Sequence, residues 1–172
     1  MVADEVWLND AWQVYAHEPS GSDWTLPSYK LVGNPLSTVS DFWTMFNSVE
    51  PCLERSMLFI MRDGVTPSWD DPACIDGALV SAAVVSTQAK ASFKQLVQSL
   101  LGETLLAGGE CYTWSDVLGV SMGPKKAHCV IKIWMGKTAS APPQFHLPSA
   151  ITPTDLRVTP SRDYIQTASA KR

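Results

Sequence analysis

The sequence predicts an α+β fold, an antiparallel β-sheet with helices on one face, and three observations carry that reading. Strand-like segments outnumber helical ones, and most links between them are too short for the long crossovers that parallel strands need. Two segments show the 3.6-residue apolar period of amphipathic helices. The chain has 172 residues, of which 45% are hydrophobic and 17% charged, enough for one domain with a sizeable core. A single domain over 1–172 is expected, with its core at about 8–135 and a proline-rich, partly irregular segment at 138–172.

Ala11 to His17 alternates as a strand, Pro19 to Ser22 forms a loop, and Ser28 to Gly33 suits a second strand. A helix follows from about Thr38 to Glu50. Thr38-Val39-Ser40-Asp41 has the form of a capping box, and Val39, Phe42, Trp43, Phe46 and Val49 make the apolar stripe. Pro51 ends it. Ser56 to Arg62 reads as a buried strand turning at Asp63-Gly64, and Ala78 to Val85 as another. A second amphipathic helix spans about Ala89 to Leu101, with Gly102 at its end. Val117 to Met122 and His128 to Met135 are two strands joined by Gly-Pro-Lys-Lys. Beyond Lys137, Pro142, Pro143, Pro148, Pro153 and Pro160 argue against a long third helix, while Leu156-Arg157-Val158 suits an edge strand.

Charge and cysteine usage narrow the function. A net charge of −4 leaves no global positive field to follow a nucleic-acid backbone, so any such role must be local. Cys52, Cys74, Cys111 and Cys129 form no C-x-x-C pair, and His17, His128 and His146 are scattered, so neither a metal site nor a cofactor is expected. The start Met1-Val2-Ala3-Asp4-Glu5 has no signal-peptide form, and the longest apolar run, Ala78 to Val85, is too short to span a bilayer. A reduced, cytoplasmic, monomeric protein without membrane contact is the expectation. Walker, G-x-S-x-G and H-E-x-x-H signatures are missing, so no catalytic residue is assigned and a non-enzymatic role is expected.

The most informative stretch is Asp63-Gly64-Val65-Thr66-Pro67-Ser68-Trp69-Asp70-Asp71-Pro72, a loop that presents an aromatic ring beside carboxylates. A ring next to an acceptor-only carboxylate suits stacking on a base and binding its N–H edge. Trp24, in Gly21-Ser22-Asp23-Trp24, offers a second ring. Both tryptophans equally suit lids over a core. In Val130-Ile131-Lys132-Ile133-Trp134, alternation puts Lys132 and Trp134 opposite the two isoleucines, where Trp134 suits either a ligand face or edge packing. Lys125 and Lys126 suit a solvated turn or phosphate contact. Val39 and Trp43, at i and i+4, suit the core or a partner-facing row.

Taken together, Trp12-x-x-Tyr15, Trp24, Thr38-Val39-Ser40-Asp41-Phe42-Trp43, the D-G-x-x-P-x-W-D segment from Asp63 to Asp70, Leu100-Leu101-Gly102-Glu103 and Ile131-Lys132-Ile133-Trp134 resemble the eukaryotic translation initiation factor 4E family. The resemblance runs in family order from about Leu8 to Trp134. It implies a curved sheet with two to three helices on its convex face and a pocket for the 7-methylguanosine 5′ cap of messenger RNA on the concave side. By the same resemblance, Trp24 and Trp69 sandwich the base and Asp70 reads its edge. Trp134 packs by the methyl group, and Lys125 with Lys126 and Lys132 meets the phosphates. Val39 and Trp43 match the surface that holds an amphipathic helix of the scaffold factor 4G or of a 4E-binding protein. Asp70 stands where the family has Glu, Val130 at a second basic position, and Leu79 where a buried Trp is usual, which implies a divergent paralogue. The implied role is cap binding in translation initiation by recruiting a scaffold. The alternative is a regulator that keeps the partner surface and binds the cap weakly or not at all.

Overall fold

The computed structural model describes residues 4–108 and 111–169. Its elements run β1 (Trp7–His17), β2 (Lys30–Leu31), β3 (Leu36–Thr38), α1 (Val39–Val49), β4 (Met57–Arg62), β5 (Ala78–Val85), α2 (Ser86–Leu101), β6 (Leu106–Gly108), β7 (Val117–Pro124), β8 (His128–Met135), β9 (Gln144–Phe145), β10 (Arg157–Pro160) and α3 (Ser161–Ser169). The large sheet is antiparallel throughout, in the order β10-β5-β8-β7-β4-β1-β2, with β3 also paired to β1. This is the expected α+β design, a curved antiparallel sheet with helices packed on it. A small ladder of β6 and β9 was not foreseen.

Alternation along the strands sorts side chains into two clusters on opposite faces. Trp12, Val14, Leu58, Ile60, Val120, Ile131 and Ile133 meet Phe42 and Phe46 of α1 and Phe93, Leu96 and Leu100 of α2. Phe59, Met61, Leu79, Leu118 and Trp134 point the other way, joined by Tyr29, Val65 and Cys74. Burying a side chain such as Phe46 or Phe93 contributes about 1.5–3 kcal/mol, so the helix-side cluster dominates stability.

The capping box of α1 forms as predicted: Asp41 N–H donates to Thr38 Oγ1 (3.1 Å), and Thr38 N–H donates to the Asp41 carboxylate (2.9 Å). Helix α2 starts at Ser86, three residues before the predicted Ala89, directly out of β5. Glu103 just beyond takes a left-handed φ of 55°.

The C-terminal segment ends in a short helix. Nine residues form α3, because all five prolines lie before it and Ser161 to Ser169 contains none. Asp163 in its first turn suits the helix dipole. Helix α3 does not join α1 and α2. Its Tyr164 packs against the opposite cluster, on the face that those helices leave open.

Candidate functional site

The loop between β4 and β5 owes its shape to one carboxylate. Asp71 accepts from Thr66 N–H (3.0 Å), Thr66 Oγ1 (2.5 Å) and Ala73 N–H (2.8 Å), which folds the loop back on itself. Gly64 turns the chain at φ 81°, a value that favours glycine. At the loop's far end a Cβ on Gly77 would lie 1.8 Å from Met135 O, so only glycine lets the chain enter β5 there. Thus held, the loop presents Trp69 half-buried and Asp70 exposed. The two adjacent carboxylates have divided their work: Asp71 serves the loop, and among the described residues Asp70 takes only the Ser68 hydroxyl.

Trp24 stands on the loop after β1, 41% exposed. One face lies flat on His17, with centroids 4.3 Å apart and planes at 4°. His17 is fixed in turn, its Nδ1 2.8 Å from Glu18 O and its Nε2 2.8 Å from Asp23 O. From there a run of rings crosses the open face: His17 to Tyr29 (4.9 Å), Tyr29 to Phe59 (5.4 Å) and Phe59 to Trp134 (6.2 Å). Trp134 is on the predicted face but buried, and its indole N–H donates to Ser121 Oγ at 3.0 Å. It forms the floor of the site rather than a free wall. Trp69 stacks not on Trp24 but on Tyr164 of α3, with centroids 5.2 Å apart and planes at 19°.

Electrostatics divides this face into two ends. Near the Trp69 loop, burial pushes the Tyr29 hydroxyl up to about 12, aided by Asp70, and burial pushes the Cys74 thiol up to about 12, aided by Asp71 and Asp70. Tyr15 is likewise raised by burial, then by Asp63 and Asp71. In each case burial is the larger cause, and the neighbouring carboxylates add to it. At the other end, burial and then Lys125 hold the Lys132 ammonium below its usual range, so two cations converge there. Lys125 and Lys126 are exposed in the β7–β8 turn, closed by Lys125 N–H donating to His128 O at 2.8 Å. Lys132 and Arg157 share a cleft of about 610 Å³ with Tyr164, Asp155 and Asp163, so the cleft carries charges of both signs. Among the described residues no group of three His, Cys, Asp or Glu is placed to hold a metal ion, and no helix is long and apolar enough to cross a membrane.

Opposite this face, Val39 and Trp43 remain 36% and 37% exposed although their helix is packed on the sheet. With Leu8, Phe42, Gln98 and Leu101 they line an apolar groove of about 180 Å³ between α1 and the end of α2. The Lys94 ammonium sits 4.8 Å from the Trp43 ring centroid. Leu8, Gln98 and Leu101 were not singled out from sequence as groove residues, nor were His17, Tyr29 and Tyr164 as part of the open-face site. His17, Tyr29, Gln98 and Leu101 carried only strand or helix patterns, which mark core positions equally well, and Leu8 and Tyr164 lay outside the predicted elements.

The sequence model of the family described as eukaryotic initiation factor 4E matches residues 7–158. The chain belongs to this family. As an initiation factor 4E family member it is similar to the Arabidopsis thaliana eukaryotic translation initiation factor 4E-2, at 22% identity over 114 residues, 64% of this chain and 45% of that relative. It is also similar to factor 4E-3 of that plant, at 25% identity over 76 residues, 42% of this chain and 32% of the relative. The matched stretches thus span less than half of either relative. The fold is similar to that of eIF4E-3 from C. elegans, solved as a complex with the 4E-binding protein Mextli and a cap analog (TM-score 0.75, 15% identity, 94% of this chain and 96% of that one). It is similar too to Ascaris suum eIF4E-3, solved with an m2,2,7G cap (TM-score 0.67, 16% identity, 79% and 76%).

Proposed function

We propose that this 4E-family chain binds the 7-methylguanosine 5′ cap of messenger RNA on its open sheet face. We further propose that it acts, without enzymatic activity, in cytoplasmic translation initiation by recruiting a scaffold factor. The observation that carries the reading is an aromatic face bordered by carboxylates of the Trp69 loop and by lysines of β8 and its turn. Asp63, Asp70 and Asp71 lie on that loop, Lys125 and Lys126 in the β7–β8 turn and Lys132 on β8. A methylated guanine is a flat cation with a polyanionic tail, which suits that pairing of groups. The ring would stack on Trp69 and Trp24 with cation–π attraction added. Asp70, freed by Asp71 from holding the loop, would accept from the guanine edge as a charge-assisted pair. Trp134 would floor the site beneath the methyl group, and Lys125, Lys126 and Lys132 would meet the phosphates. On the other face, Val39 and Trp43 with their groove would take one side of an amphipathic helix from a 4G-type scaffold or a 4E-binding protein, the chain itself being monomeric.

The test is quenching of tryptophan fluorescence by 7-methylguanosine triphosphate against GTP. Saturable quenching by the methylated nucleotide, much weaker with GTP, is expected; equal response to both would remove the reading. A second reading, a regulator that keeps the helix groove and binds the cap weakly, is favoured by one observation: Trp24 and Trp69 each already stack on an internal ring. Scaffold binding without retention on a cap resin would select it.

A further inference from the structure

Helix α3 is tied to the same loop that carries Trp69. Ser161 is buried and its N–H donates to Gly77 O at 2.9 Å, and the Arg162 guanidinium pairs with the Asp76 carboxylate. Both acceptors lie in the segment running from Trp69 into β5. These two anchors, in the first turn of the helix, leave the Tyr164 ring flat against Trp69, 5.2 Å between centroids at 19°. The Lys132 ammonium lies 5.4 Å from the centroid of that same tyrosine ring. Rings flanking a third ring need roughly 7–8 Å between them, two van der Waals spacings. At 5.2 Å nothing flat fits between Tyr164 and Trp69. One face of the loop tryptophan is therefore taken by the chain itself, with a stacked aromatic and a nearby cation.

We propose that Tyr164 is a built-in competitor for the cap base, held over Trp69 by α3 and displaced when the nucleotide binds. The inference rests on the cap-binding reading above. The ligand sees an affinity reduced by the fraction of molecules in which Tyr164 is off Trp69. An aromatic pair of this kind sets that penalty at about three- to tenfold. The helix suits release: apart from Ser161, its residues with described side chains are half-buried or exposed, and Asp76 and Arg162 both lie open to solvent.

The experiment compares the full chain with Tyr164→Ala and Arg162→Ala, the second keeping the ring but removing the ion pair that tethers the helix. Calorimetric titration with 7-methylguanosine triphosphate is run beside acrylamide quenching of the Trp69 signal, isolated by difference against Trp69→Phe. Expected for Tyr164→Ala are a more accessible Trp69 and about three- to tenfold tighter nucleotide binding, with Arg162→Ala shifted the same way by less. Unchanged Trp69 accessibility overturns the proposal whatever the affinity. Raised accessibility with equal or weaker binding also overturns it and leaves cap binding standing. Raised accessibility with no binding by any of these chains removes the cap reading and the competitor role together.

Discussion

The two faces of this sheet are built by different means. The Val39/Trp43 groove stands on a regular helix whose first turn is locked by its own capping box and whose other side is sunk in the core. The Trp24/Trp69 site stands on loops held by a few side-chain contacts: His17 under Trp24, Asp71 inside the Trp69 loop, and Tyr164 against Trp69. A face on a helix is preorganised by local hydrogen bonds. A face on loops depends on residues far apart in sequence and so carries its own alternative contacts. The groove should therefore act as a fixed surface, and the open face as one that rearranges when occupied.

The largest effect expected is on the loop side. Trp69→Ala removes about 1–3 kcal/mol of stacking and roughly 0.5–2 kcal/mol of cation–π attraction. It should abolish selective quenching by 7-methylguanosine triphosphate while leaving the thermal midpoint near that of the parent chain. Binding of a 4E-binding peptide should stay unchanged, and a parallel loss there would collapse the contrast between the faces. The converse is Trp43→Ala, which should weaken that peptide by about 2 kcal/mol, as for a central aromatic anchor, and spare nucleotide titration. Calorimetry on both ligands decides it.

A finer cut separates the neighbouring carboxylates. Asp70→Asn should lower discrimination between methylguanine and methyladenine nucleotides by about 1.5–3 kcal/mol, the range for a hydrogen bond to a charged group. Asp71→Asn should instead loosen the loop, read as faster proteolysis between Gly64 and Gly77. Equal behaviour of the two variants would mean that Asp71 does not carry the loop alone.

The smallest effects belong to the helix cap. Thr38→Ala should cost about 1 kcal/mol of unfolding free energy, with nucleotide affinity unmoved. Its partner Asp41 adds a pH signature. Hydrogen bonds, first from Ser37 N–H and then from Thr38, hold the Asp41 carboxyl below its ordinary 3.8. A depressed folded value means that this stabilisation is fully present above 3.8 and fades as pH falls through the lower, folded value. Asp41→Asn should flatten that part of the acid limb in urea melts taken between about pH 2 and 5.

What the sequence determined by itself is whatever rests on short-range pattern. The Thr38–Asp41 cap, the stripe of α1 and the alternation that sends Ile131 and Ile133 one way and Trp134 the other each depend on residues within a few positions. The order of motifs likewise sufficed for the 4E family. Tertiary structure decided the rest. Trp134 had two sequence readings, and the rings of Phe59 and its neighbours made it a buried floor. Asp70 and Asp71 were indistinguishable until the loop closed on one of them. Above all, the prolines after Lys137 argued only against a long helix, and nothing local foretold that a nine-residue one would bring Tyr164 onto Trp69. Its anchor joins Arg162 to Asp76, 86 positions apart, and a contact closed over that distance leaves no periodic trace in the chain.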